Sequence, residues 1–276
     1  VTPGRRTTGL VLAAALAMAL PPVAAARAAQ SPPVPSPPDH TARTSDDLAR
    51  AWRAEAPATL VVGRSVRGRA IVAMRQGPAT APYVLLVLGQ MHGTEPRGRD
   101  VVAAVRRLAP PAQVQVWTIV SMNPDGAARG SRSNARGVDL NRNFPFLWSP
   151  RFTNRTYFWP GLAPASEPEV RAMMPFLDRL RPDLVVSLHQ HFNAVDLGSG
   201  KSRIWSTRLS AALHLRAIDV PCSTGPCHGT LTQWFNHEHP GVGVTVELPL
   251  RVPASSASAY ARGILRVGAL LVPPTR

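Results

Sequence analysis

Two periods of hydrophobic and polar positions run through this chain. Residues 45–54 carry apolar side chains at helical spacing behind Ser45, which suits an N-cap, and predict a first helix. Two short β-rich runs, 60–63 and 70–74, flank the polar segment SVRGR. The run YVLLVL at 83–88 is continuously apolar, as a strand covered on both faces should be. A helical pattern over 95–108 stops at Pro110-Pro111, and 114–120 reads as another strand. Residues 121–165 are rich in Gly, Asn, Pro and Arg and predict one long irregular stretch; in a compact domain such a stretch is functional or disordered. Beyond it the pattern predicts a helix at 167–180, a strand at 184–188, a helix at 206–217 and a helical turn or two at 230–236. A buried strand at 242–248 and an amphipathic helix at 257–271 follow. Strands alternating with helices predict an α/β fold, a central β-sheet with helices on both faces.

Composition changes this picture mainly at the N-terminus. Arg5 and Arg6 precede an apolar stretch at 9–20, and small residues follow, with Ala26-Arg27-Ala28 suited to cleavage. That order is the order of a secretory signal, so residues 1–28 are expected to be a signal peptide, with an uncleaved anchor as the alternative. Residues 29–43 are Pro- and Ser-rich and read as a linker, leaving 44–276 as a single domain. A secreted or cell-envelope location follows, with no stable membrane insertion once the signal is removed. Cys222 and Cys227, the two cysteines, are then candidates for a disulfide closing a small loop, with two free thiols as the alternative. The net charge is +15, and Lys201 is the only lysine among 31 basic residues. The arginines are scattered, with no basic run and no aromatic ladder, so nucleic acid is not the expected partner; an acidic surface such as a cell wall or anionic lipid is compatible with the charge.

The chemistry gathers at strand ends. The 83–88 strand leads to His92 and Glu95, the 114–120 strand to Asn123, the 184–188 strand to His189, and the last strand to Glu247. In open α/β sheets the site lies outside the carboxyl ends of the strands. Two His and two Glu therefore fall on one edge, near a loop that carries Arg132, Asn141 and Arg142. Two His and a Glu can hold one zinc ion with a fourth position open to water. A carboxylate that is not a ligand can act as general base, and arginines beside it can stabilise an oxyanion or grip a carboxylate.

Six segments in order resemble the zinc carboxypeptidase (M14) family: GRSVRGR at 63–69, HGTE at 92–95, NPDG at 123–126, GVDLNRN at 137–143, LH at 188–189 and TVEL at 245–248. The resemblance implies a mixed sheet, one zinc ion, and His92, Glu95 and His189 as its ligands. It implies Glu247 as general base and later proton donor. Arg132 falls where the family polarises the scissile carbonyl, and Asn141 and Arg142 where it binds the substrate's terminal carboxylate. The compact spacing from Arg132 through Asn134 to Pro145 looks most like the murein peptide amidase branch, which cleaves the γ-D-glutamyl–diaminopimelate bond of cell-wall peptides.

The chain also departs from the family. Digestive members carry a mobile Tyr that residues 222–228 lack, and Leu231 falls near where those members set side-chain preference. An apolar residue there argues against a basic-residue carboxypeptidase. His191 competes with His189 as a ligand, His237 and His239 read as solvated loop residues, and His228 as packing. Arg129 and Arg136 compete with Arg132. Glu167 and Glu169 fall at the start of a helix, where acidic side chains are favourable. The expected function is an exported zinc peptidase acting beside a free carboxylate, in murein peptides. The alternatives are an ordinary metallocarboxypeptidase, an N-acyl amino acid deacylase and an inactive wall-binding module.

Overall fold

The structure is a computed structural model and describes residues 44–151, 157–198, 201–221 and 227–273. The expected signal, the linker and Cys222 lie outside the described residues.

Strand β3 (Tyr83–Leu88) occupies the middle of a seven-stranded sheet. It pairs in parallel with β4 (Val114–Ile119) on one side and β5 (Leu184–Asp196) on the other. An antiparallel hairpin, β1 (Thr59–Arg64) and β2 (Ala70–Gln76), extends the sheet beyond β4. On the far side β5 pairs in parallel with both β7 (Val242–Pro249) and the short β6 (Arg216–Ile218). The sheet is therefore mixed.

Alternation along the strands divides the core in two. Leu85 and Val87 of β3, with Leu184, Val186 and Leu188 of β5, pack under α2 (Arg97–Val105), α5 (Ser202–Leu213) and α7 (Ala254–Ala269). Val84, Leu86 and Leu88 face the other way, with Trp117, against α4 (Pro168–Leu180) and α6 (Leu231–Glu238). Burial on both faces is why these strands read as unbroken apolar runs.

Several boundaries differ from the sequence reading. The cap of α1 (Ser45–Glu55) is Thr44, one residue before the expected Ser45. Thr44 Oγ1 accepts from Asp47 N–H at 3.2 Å while Asp47 Oδ2 accepts from Thr44 N–H at 3.1 Å, a reciprocal capping box. Helix α2 starts at Arg97 because His92 to Glu95 form a separate turn, closed by Glu95 N–H to His92 O at 3.0 Å. A short helix α3 (Pro124–Arg129) stands where irregular chain was expected. Its signals were present: Asn123 as cap, Pro124 at the first position and Gly130 beyond the end at φ +60°. Strand β5 continues past Leu188 through a polar stretch, because its backbone keeps pairing with β7 and β6. Helix α5 ends at Leu213, where His214 adopts a left-handed conformation, and 216–218 joins the sheet edge instead.

Close approach places the first site loop. A Cβ on Gly98 would overlap the carbonyl oxygen of Gly89, so only glycine lets α2 start flush against the end of β3. Among the described residues no helix is long and apolar enough to cross a membrane.

Candidate active site

Just beyond β3, the 92–95 turn delivers His92 and Glu95, and β5 delivers His189. Their ligand atoms lie within 4.8 Å of one another and all three residues are buried. Glu95 Oε1 is 2.8 Å from His92 Nδ1, and Glu95 Oε2 is 3.0 Å from His189 Nδ1. The two Nδ1 atoms are 3.2 Å apart. Of the competing histidines, His191 is exposed along β5 and lines the cavity without joining this group.

Each ligand is itself held. Asp139, fully buried, accepts from His92 Nε2 at 3.0 Å, which leaves Nδ1 as the ligand atom. Ser187 Oγ lies 3.2 Å from His189 Nε2 and does the same for that ring. Gln190 N–H donates to Glu95 Oε2 at 3.3 Å. Arg132 donates from Nε to Asp139 Oδ2 at 2.9 Å and from Nη1 to Glu95 Oε1 at 3.2 Å. Asp139 and Gln190 had no role in the sequence reading. The Asp of GVDLNRN was the available signal for the first; nothing marked the second.

Charge follows from these contacts. Burial works against the Glu95 carboxylate, but His92 and His189 outweigh it and hold its pKa well below the usual range. Burial likewise opposes Asp139, and Arg132 and His92 outweigh it. On His92, burial and Arg132 oppose protonation, yet Glu95 and Asp139 hold its pKa above the ordinary value.

The donor set fits zinc. Two ring nitrogens facing each other at 3.2 Å, with a carboxylate between them, form a pocket of lone pairs that a cation resolves. Nitrogen and oxygen ligands about 2.0–2.2 Å from one tetrahedral ion would stand roughly 3.3 Å apart, close to the spacing seen.

Glu247 lies opposite His189 in the β5–β7 register. Its residue is 8% exposed, and Oε2 has no hydrogen-bond partner among the described residues. Burial pushes its pKa up, with His189 pulling the other way. The same cavity, about 1000 Å³, is lined by Arg132, Asn141 and Arg142. The latter two lie on a 3-10 turn, Leu140–Arg142. Asn141 Oδ1 accepts from Leu231 N–H at 3.0 Å, which turns the amide nitrogen into the group left to donate. The Arg142 guanidinium is buried and lies 5.5 Å from the Phe158 ring centre.

The remaining expectations divide. Leu231 is fully buried in the core, so it cannot set side-chain preference; Thr232, one residue on, lines the cavity and is hydrogen-bonded to Thr245, another lining residue, at 3.1 Å. His239 is not solvated: it is buried and stacks on Phe235 at 4.5 Å, whereas His237 is exposed. Arg129 is bound to the Asn134 carbonyl at 2.7 Å, and Arg136 is exposed. Cys227 is disulfide-bonded, while Cys222, its expected partner, lies outside the described residues.

The chain belongs to the zinc carboxypeptidase family, whose model matches residues 53–195. His92, Glu95 and His189 are its zinc-binding triad. It is 31% identical over 151 residues to murein peptide amidase A of Escherichia coli K12, a match covering 51% of this chain and 62% of that protein. It is 34% identical over 179 residues to the protein of that name from Vibrio campbellii, covering 59% of this chain and 68% of that one. Among solved structures, murein-tripeptide amidase from Escherichia coli O157 superposes with a TM-score of 0.64 at 26% identity, over 82% of this chain and 98% of that one. Carboxypeptidase A of Helicoverpa armigera shares the fold, with a TM-score of 0.64 at 17% identity, over 82% of this chain and 70% of that one.

Proposed function

We propose that this chain is an exported zinc peptidase that hydrolyses a peptide or amide bond beside a free carboxylate, with cell-wall (murein) peptides as its substrate class. The observation that carries the reading is Glu247, a buried carboxylate with one oxygen unpartnered among the described residues, in one cavity with the zinc triad and two arginines. An unsatisfied buried acceptor costs stability; a base waiting for a proton explains its retention.

Zinc, when bound, lowers the pKa of a water at its open position to about 7 and polarises a carbonyl. Glu247 accepts the proton of the attacking water and hands it to the departing amine. Arg132 already donates from Nε and Nη1 to Asp139 and Glu95, so Nη2 is the donor left to face the developing oxyanion. Arg142 and the Asn141 amide nitrogen, on one short turn, grip the substrate carboxylate. Relatives named murein peptide amidase support the substrate class, as does the basic charge of the chain against an acidic wall. The signal-like N-terminus supports export.

Purified protein offered a γ-D-glutamyl–diaminopimelate peptide, C-terminal dipeptide substrates and N-acyl amino acids, with and without chelator, tests this. Chelator-sensitive turnover of the first is expected. Turnover of only the second or third would replace the substrate class, and none at all would overturn the enzyme reading.

A further inference from the structure

Glu167 and Glu169 stand where α4 begins, yet they do not face water: they are 3% and 0% exposed. A favourable helix N-terminus alone does not explain why both are buried. Both accept from one donor group. Asn134 Nδ2 reaches Glu167 Oε2 at 2.7 Å and Glu169 Oε2 at 3.1 Å. The remaining oxygens are also bound, Glu167 Oε1 to the Ser166 hydroxyl at 2.9 Å and Glu169 Oε1 to Val66 N–H at 3.1 Å.

Asn134 is equally committed on its other side. Its Oδ1 accepts from Arg136 N–H at 3.0 Å and Val138 N–H at 3.1 Å, so both donors and both acceptor positions of the amide are in use. Its backbone N–H donates to Val138 O at 2.9 Å. Residues 134–138 thus form a closed arch. Arg132 stands two residues before it and Asp139 directly after it, and the two are joined at 2.9 Å. Asp139 in turn fixes His92 Nε2.

Two carboxylates buried side by side are a poor way to stabilise a fold, since apolar side chains of similar size serve as well or better. Their geometry points elsewhere. We propose that Asn134, Glu167 and Glu169 are positioning residues for the zinc site: a buried clamp that holds the 134–138 arch, so that Asp139 orients the His92 ring and Arg132 faces the cavity. The inference rests on the zinc triad and not on the substrate reading, and it is tested without peptidase activity.

The measurement is the zinc dissociation constant by chelator competition, alongside the melting temperature of the metal-free protein. Asn134→Asp sets acceptors against two carboxylates, and Asn134→Ala removes the donors without adding charge, which covers the case in which the Asp variant does not fold. Glu167→Gln keeps an oxygen facing the amide and turns its new amino group to the Ser166 hydroxyl, whereas Glu169→Gln sets a donor against Val66 N–H. Zinc binding about 10–100-fold weaker is expected in the folded Asn134 variants, the size found for groups that orient metal ligands, weaker also in Glu169→Gln, and within about threefold of the parent in Glu167→Gln. A folded Asn134 variant that melts lower but binds zinc with the parent constant would reduce the clamp to a structural role and overturn the proposal. Turnover that fails on every substrate while these zinc shifts appear would sink the proposed function and leave the clamp standing.

Discussion

As the proposed base, Glu247 concentrates the chemistry into one side chain. Its carboxyl is held above the ordinary value by burial, and it works as a base only when deprotonated. Activity should therefore climb as pH rises through that raised value, and be lost below it. Glu247→Gln should lower kcat by about 10²–10⁴-fold and leave a flat acid limb, with zinc still bound. A pH–rate profile and metal analysis on the purified variant check both; a variant with parent-like turnover would refute the role. The residues of this site were legible unevenly. His92, Glu95, His189 and Glu247 could be read from the chain because metal and proton chemistry admit few side-chain types and each follows a strand. Asp139 acts through other residues, and a carboxylate inside a polar loop looks like any solvated group until the fold buries it; Gln190 acts through its backbone N–H, which no side-chain pattern marks. Leu231 failed for the opposite reason: neighbouring positions on α6 are turned about 100° around the helix axis, so an offset of one residue exchanges core for cavity.

At the scale of elements, α2 is the part that tolerates least. Gly98 meets the Gly89 carbonyl with no room for a methyl group, and the preceding turn carries two zinc ligands. Gly98→Ala should lift the helix from β3, costing about 1–3 kcal/mol for the overpacking, and should weaken zinc as well. Denaturant unfolding with and without metal would separate the two losses. Thr44→Ala should be milder, about 1 kcal/mol, and should leave zinc affinity unchanged, because the capping box stands on the exposed end of α1. The elements legible in advance were those buried on both faces or along a clear stripe. The tail of β5 and all of β6 were not, since their strand character comes from pairing across the sheet edge and not from side-chain pattern.

For the whole molecule, zinc joins β3 to β5 through His92, Glu95 and His189. A ligand that binds only the folded state stabilises it by mass action, about 2.7 kcal/mol when its free concentration is 100 times Kd. Melting temperature should therefore fall on chelation and recover on adding zinc. Acid should weaken the metal first, because a ligating imidazole must be unprotonated and the His92 pKa is held above the ordinary value. A melting temperature indifferent to chelator would mean that the triad holds no ion. The two-core sheet was legible as a whole from its unbroken apolar strands; how the loops fold over its edge was not, because those loops are positioned by buried polar contacts that leave no periodic trace. One further feature lends itself to labelling. Lys201 is the only lysine in the chain, and it lines the catalytic cavity, where its ammonium bonds the His239 carbonyl. An amine-directed fluorophore would therefore attach, α-amino group aside, at a single known point on the rim, and its emission would report occupancy of the cavity by any ligand, cleaved or not.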